Sequence, residues 1–238
     1  MTDTIRVFLG YDPNEAGGYH VCAHSIMTRA TRPVSIQPIA LNQIPEWRRL
    51  NVNDKPGATD FSFARFLVPY LCGYQGHAIF LDGADMLCTD DIAKLWDMID
   101  HYKAVQCVQI PKYDVEPVKM WGQKNEWYPK KQWSAVTIWN CGNYRNRILT
   151  PEYVAKATGA DLHRFTWLED DRVGNLPREW NHLVDVFTRG PKTPAILHYT
   201  YGLPTIWDYQ DEDAVDRWFG ERALMNHVTP LIGKEDVA

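Results

Sequence analysis

AIFLDGADML, residues 78–87, decides how this chain is read. Four apolar residues stop at Asp82, a glycine follows, and a second aspartate stands at Asp85. A short apolar run bounded by turn residues reads as a buried strand. Its end delivers two carboxylates separated by Gly83 and Ala84, and Gly83 lets the backbone turn sharply enough for both to face one point. Hard cations such as Mn²⁺ or Mg²⁺ take oxygen ligands of this kind beside a substrate diphosphate. The plain alternative makes Asp82 a turn cap and Asp85 a solvated loop residue.

Outward from this run, strands and helices alternate. IRVFL (5–9) ends at Gly10, and a helical pattern with Val21, Ser25 and Thr28 on one side follows it. Residues 34–41 are rich in strand formers, and 61–70 have helical spacing. The acidic start Asp90-Asp91 predicts a helix over 92–99. Strands are expected over 104–110, 136–139 and 195–199, a short helix opened by Pro151, and a C-terminal helix over 211–225. No internal repeat is visible. The alternation predicts an α/β fold with a mostly parallel, Rossmann-like sheet flanked by helices, in which ligands sit at the carboxyl ends of strands. The distinctive residues fall just there: Gly10-Tyr11-Asp12, Asp82 to Asp85, Asn140-Cys141-Gly142 and His198.

Composition narrows the function classes. With 238 residues, 45% hydrophobic and 23% charged, and no Ser-, Gly- or Pro-rich linker, one compact domain over 1–238 is expected. A net charge of −5 leaves no basic stripe for a phosphate backbone, so nucleic acid is not the expected partner. No apolar run approaches the roughly 18 residues of a membrane span, and MTDTIRVFLG is no export leader; the expectation is a cytoplasmic protein without a transmembrane segment. The five cysteines lack CxxC spacing and read as small buried hydrophobes. Many of the ten Trp and twelve Tyr lie in polar surroundings, as in MWGQKNEWYPKKQW (120–133), where aromatic faces either stack on sugars and bases or simply pack the loops.

Taken in order, FSFARFLVPYL (61–71), AIFLDGADMLCTDDIAKLW (78–96), WNCG (139–142), LPREWN (176–181) and HYTYG (198–202) resemble glycosyltransferase family 8 and its relatives. There a helix with an arginine precedes a strand ending in Asp-x-Asp, an Asn-x-Gly turn follows a later strand, and a late histidine completes a metal site. The resemblance implies a GT-A fold. It implies a Mn²⁺- or Mg²⁺-dependent transfer of a sugar from a nucleoside diphosphate, UDP favoured, to a glycan or other hydroxyl acceptor, with retention. It makes Asp82, Asp85 and His198 the metal ligands and Arg65 the group steadying them and the donor sugar. Gly10, Tyr11 and Asp12 would hold the nucleoside, with Gly83, Ala84, Asn140 and Gly202 also on the donor. Glu169 and Asp170 would line the sugar pocket as the catalytic pair.

Three departures stand out. Two residues separate the aspartates instead of one, so Asp85 alone is expected to bind metal directly while Asp82 orients ribose or water. HYTYGLPTIW (198–207) lacks the lysine that meets the diphosphate, leaving Arg65, the cation, or a lysine such as Lys124, Lys130 or Lys131 to neutralise it. Glu169-Asp170-Asp171 stands where Asp-Gln-Asp is usual. Two rival readings are a sugar-nucleotide or glycan-binding module without turnover, and a haloacid-dehalogenase-type phosphohydrolase with an aspartate nucleophile in FLDGAD.

Overall fold

In the computed structural model, which describes residues 4–44, 47–50, 59, 61–187 and 193–227, the apolar run β1 (Ile5–Gly10) is followed by α1 (Ala16–Arg29) and β2 (Val34–Ile39). The helical spacing over 61–70 appears as α2 (Phe61–Ala64) and α3 (Val68–Leu71), joined by a 3-10 turn. Pro69 sits in the first turn of α3, where its missing N–H is not needed. Next come β3 (His77–Leu81), β4 (Met86–Cys88), α4 (Ile92–Trp96) and β5 (Val105–Cys107). A small hairpin of β6 (Val118–Lys119) and β7 (Gln123–Lys124) precedes β8 (Val136–Asn140). The chain continues through α5 (Pro151–Lys156), α6 (Gly159–His163), β9 (Val173–Asn175), β10 (His182–Leu183), β11 (Ile196–His198) and α7 (Glu212–Met225).

The main sheet has the order β2-β1-β3-β8-β5-β9. Its pairs are parallel except where β8 meets β3 and β5. Side chains alternate across it: Ile5, Val7 and Leu9 pack with Cys22 and Ile26 of α1, while Phe8 packs on the other face with Phe61, Phe66 and Leu67. Both faces are thus covered by helices, which is why the strands read as continuous apolar runs. A second sheet, β10-β11-β4, pairs β4 antiparallel to β11 and brings Met86 opposite His198.

The direction of β8 corrects one expectation. Leu81 pairs with Val136 and His77 with Asn140, so the carboxyl end of β8 lies at the opposite edge of the sheet from Asp82. Asn140 is held there by its own hydrogen bond to the His101 carbonyl (3.0 Å), and the Gly142 amide donates to Gly76 (3.2 Å). The rule placing ligands after strands applies to parallel strands, and β8 is not one. Several elements are also shorter than expected: the helix from Ile92 ends at Trp96, and the strand over 104–110 narrows to β5. Four thiols, Cys22, Cys88, Cys107 and Cys141, are buried in the core.

Candidate metal centre

Asp82 leaves β3 with its amide bonded to the Ala135 carbonyl (2.9 Å), and Gly83 follows at φ +81°. An added Cβ at Gly83 would lie 2.8 Å from the Gly10 carbonyl oxygen, so the turn needs glycine for both conformation and space. The Tyr199 amide then donates to the Asp85 carbonyl (2.8 Å), locking the turn to the end of β11. This register decides where His198 points. A slip of one residue would turn it to the other face.

One ligand atom from each of Asp82, Asp85 and His198 lies within 4.8 Å of the others. Asp82 is ion-paired with Arg65, whose guanidinium also donates to the Ser134 carbonyl (3.2 Å). Asp85 Oδ2 stands 3.3 Å from His198 Nε2, and its Oδ1 is buried with no hydrogen-bond partner. Asn181 sets the tautomer of His198. Its Nδ2 donates to the Gln132 carbonyl (3.1 Å), which turns its Oδ1 to accept from His198 Nδ1 at 2.8 Å. Nε2 therefore presents a lone pair to a carboxylate oxygen. Two acceptors facing each other repel unless a proton or a cation lies against them. A histidine oriented by an amide oxygen, with an orphaned carboxylate oxygen alongside, fits a divalent cation.

The surrounding charges are tightly coupled. Burial pushes Asp82 up to about 6, against the pull of Arg65. Burial also pushes Asp85 up, but the His198 imidazole, Lys119 and Arg65 outweigh it and hold the carboxyl below its usual value. Glu15, buried with Oε1 lacking a hydrogen-bond partner, rises to about 8 through burial and then through Asp85 and Asp12. Lys119, on the β6–β7 hairpin, is lowered by burial yet drawn up by Asp85, Asp82 and Glu15. It is the lysine that faces the carboxylates. Sequence reading missed it, because a lysine in a polar loop carries no signal until the hairpin places it.

A cavity of about 770 Å³ opens from this cluster, lined by Arg65, Asp82, Asp85 and Lys119 at one part and by Tyr128, Lys131, His163 and Arg164 at another. Of the lysines considered from sequence, Lys124 and Lys131 line it; Lys130 instead donates to the Arg164 carbonyl (3.0 Å) and pairs with Asp170 (3.4 Å). Trp121 is half-exposed at the hairpin tip, whereas Trp133 is tied down by a bond to the Ile110 carbonyl (2.9 Å).

The remaining sequence-derived residues divide. Gly10 sits beside the turn, close enough to Phe61 that a Cβ would fall 2.4 Å from its ring, and Ala84 is fully buried against α1. Asp12 accepts from the Asn14 amide (2.9 Å) as a cap, and Tyr11 packs edge-on to Tyr19 at 5.3 Å. Gly202, at φ +123°, accepts from the Tyr209 hydroxyl (2.9 Å). Glu169 and Asp170 are not brought to the cavity. Their side chains are 63% and 96% exposed, and Glu169 pairs with Arg145 at 2.8 Å. They precede β9, where Arg172 and Asp171 carbonyls bond Ala104 and Lys103 at the amino end of β5.

No family model matches the sequence. Protein CDI of Arabidopsis thaliana is 42% identical over 229 residues, covering 93% of this chain and 87% of that protein. Among solved structures, the chain is similar to the WbbM bifunctional glycosyltransferase in its apo form (TM-score 0.63, 16% identity, 94% of this chain and 50% of that one). It is also similar to an active-site mutant of LgtC (TM-score 0.59, 14% identity, 95% and 98%). A third is apo GlyE of Streptococcus pneumoniae TIGR4 (TM-score 0.59, 13% identity, 92% and 60%). The chain thus spans half of the WbbM chain and nearly all of LgtC. It has the GT-A glycosyltransferase fold.

Proposed function

We propose that this chain, which belongs to the family of Protein CDI of Arabidopsis thaliana, is a single-domain, metal-dependent glycosyltransferase moving a sugar from a UDP-type nucleoside diphosphate to a hydroxyl acceptor. The observation that carries this reading is the Asp82, Asp85 and His198 cluster, with its orphaned Asp85 oxygen, at the end of a central strand and open to a cavity of about 770 Å³. Asp85 and His198 would hold the cation directly, with Asp82 beside them. Bound Mn²⁺ or Mg²⁺ supplies positive charge to a departing diphosphate.

The chain's own residues supply the rest. Arg65 orients Asp82 and offsets part of the burial that raises its carboxyl. Lys119 takes the part of the lysine missing after His198, placing an ammonium beside the carboxylates where a diphosphate would approach. Trp121, on the same hairpin, offers a face on which an acceptor sugar can stack. The Arg65 ion pair argues against Asp82 as a phosphohydrolase nucleophile, since its carboxylate is already engaged. Glu169 and Asp170 have no part in this reading, because both are exposed and neither lines the cavity. Retention of configuration rests on the family 8 resemblance.

The test is UDP release from UDP-glucose, UDP-galactose and UDP-glucuronate with Mn²⁺, with and without a panel of hydroxyl acceptors. Release stimulated by an acceptor supports a transferase. UDP binding without release from any donor would instead favour a module without turnover.

A further inference from the structure

The cavity carries more positive charge than its carboxylates answer. Arg65, Lys119, Lys124, Lys131 and Arg164 line it, against Asp82, Asp85 and Glu126. The three carboxylates are already matched: Asp82 with Arg65, Asp85 with Lys119, and Glu126 with Lys124 at 2.6 Å. Lys131 and Arg164 are left over.

Lys131 is only 7% exposed. Its ammonium donates to the Glu126 carbonyl (3.0 Å) and lies 4.7 Å from the centre of the Tyr128 ring, and among the described residues no carboxylate pairs with it. An ammonium has three donors, and a single carbonyl leaves most of that capacity facing the cavity. Arg164 has a buried Nε with no hydrogen-bond partner. His163, the residue before it, does not compensate. Its Nδ1 sits 2.8 Å from the Ser134 hydroxyl, and burial, followed by Arg65, Lys131 and Arg49, pushes it down to about 3, so it is neutral. The backbone around Lys131 is held in an unusual form: Lys130 and Gln132 have φ of +61° and +66°, a region non-glycine residues rarely enter. A buried cation answered only by a carbonyl and an aromatic face is unexplained by folding, since a buried charge without a counter-charge costs stability.

We propose that Lys131 and Arg164 form a second anion subsite in the cavity, which binds a carboxylate or phosphate carried by the sugar substrate itself, beyond the diphosphate of the donor. The proposal rests on the nucleotide-sugar reading and narrows it to acidic sugars. The anion sits on the transferred sugar or on the acceptor; the chemistry is the same in both.

The experiment is calorimetry on the full chain with Mn²⁺. Titrating UDP, UDP-glucose and UDP-glucuronate probes an acidic donor. Titrating glucose and glucose 6-phosphate into the UDP-saturated protein probes an acidic acceptor. Charge-assisted hydrogen bonds to two cations give the acidic compound of one pair at least about a tenfold tighter affinity than its neutral partner. Lys131→Gln and Arg164→Gln each erase that margin and leave UDP affinity as in wild type. Lys131→Arg, which keeps the charge, restores it and guards against a folding defect in the glutamine variant. Equal binding of acidic and neutral compounds in both pairs overturns the proposal. So does a margin that survives both glutamine variants, or a parallel loss of UDP affinity, which would make these residues part of the diphosphate site. Failure of UDP to bind would instead defeat the sugar-nucleotide reading, and glucose 6-phosphate against glucose without UDP would still decide the anion subsite.

Discussion

Removing the amide that orients His198 should weaken cation binding without touching a cation ligand. Asn181 is fully buried; it accepts from His198 Nδ1 at 2.8 Å and donates to the Gln132 carbonyl at 3.1 Å. Asn181→Ala frees the imidazole to rotate or change tautomer, and loss of such a supporting partner typically costs about 10- to 100-fold in metal affinity. That corresponds to roughly 1.4 to 2.7 kcal/mol. The variant also strands a buried N–H and a carbonyl, at about 1 to 3 kcal/mol each in folding stability. Asn181→Asp separates the two effects, because it keeps an acceptor for Nδ1 while it replaces the donor to Gln132 by a second acceptor and adds a buried charge, which falls on stability. Mn²⁺ titration by calorimetry, alongside urea unfolding, should show the alanine variant weakened in both and the aspartate variant retaining most of the metal affinity. A folded Asn181→Ala protein with wild-type Mn²⁺ affinity would refute the reasoning.

Further outcomes follow from the same structure. Folded His163 stays neutral to about pH 3 while the unfolded chain takes that proton near 6.5, so stability should fall as pH drops from about 6.5 toward 3. The slope is at most about 1.4 kcal/mol per pH unit, and His163→Gln should flatten that part of a denaturation profile. Gly18→Ala would set a Cβ 2.1 Å from the Ala84 carbonyl oxygen, between the two aspartates. Urea unfolding should show a loss of about 1 to 3 kcal/mol, and Mn²⁺ affinity should fall with it. Glu169→Gln and Asp170→Asn, both at the surface, should leave stability within about 0.5 kcal/mol and donor turnover near wild type; a loss of a hundredfold in turnover would return them to the mechanism.

The alternation of strands and helices was legible because buried parallel strands must be apolar on both faces. That logic led from FLDGAD to Asp82 and Asp85, and the end of the AILH run led to His198. It failed at Asn140 for a physical reason: one sequence does not show which way a strand runs, and β8 reverses against its neighbours. Lys119 was invisible for another, and Lys131 could be named only as one of three candidate lysines. Their loops are polar and ordinary in composition, and only the hairpin and the strained turn at Lys130 and Gln132 carry them into a cavity. Asn181 lay within the quoted LPREWN stretch, yet its role depends on meeting a histidine 17 residues away.

In the proposed function the carboxylate and histidine cluster binds a cation that in turn holds a nucleoside diphosphate. Calorimetric affinity for UDP, measured with Mn²⁺ and again with excess EDTA on the same protein, tests it most directly. Chelation should weaken UDP by at least about tenfold, with the Asp85→Asn protein as weak in Mn²⁺ as the wild type is in EDTA. Equal UDP affinity under both conditions would contradict it.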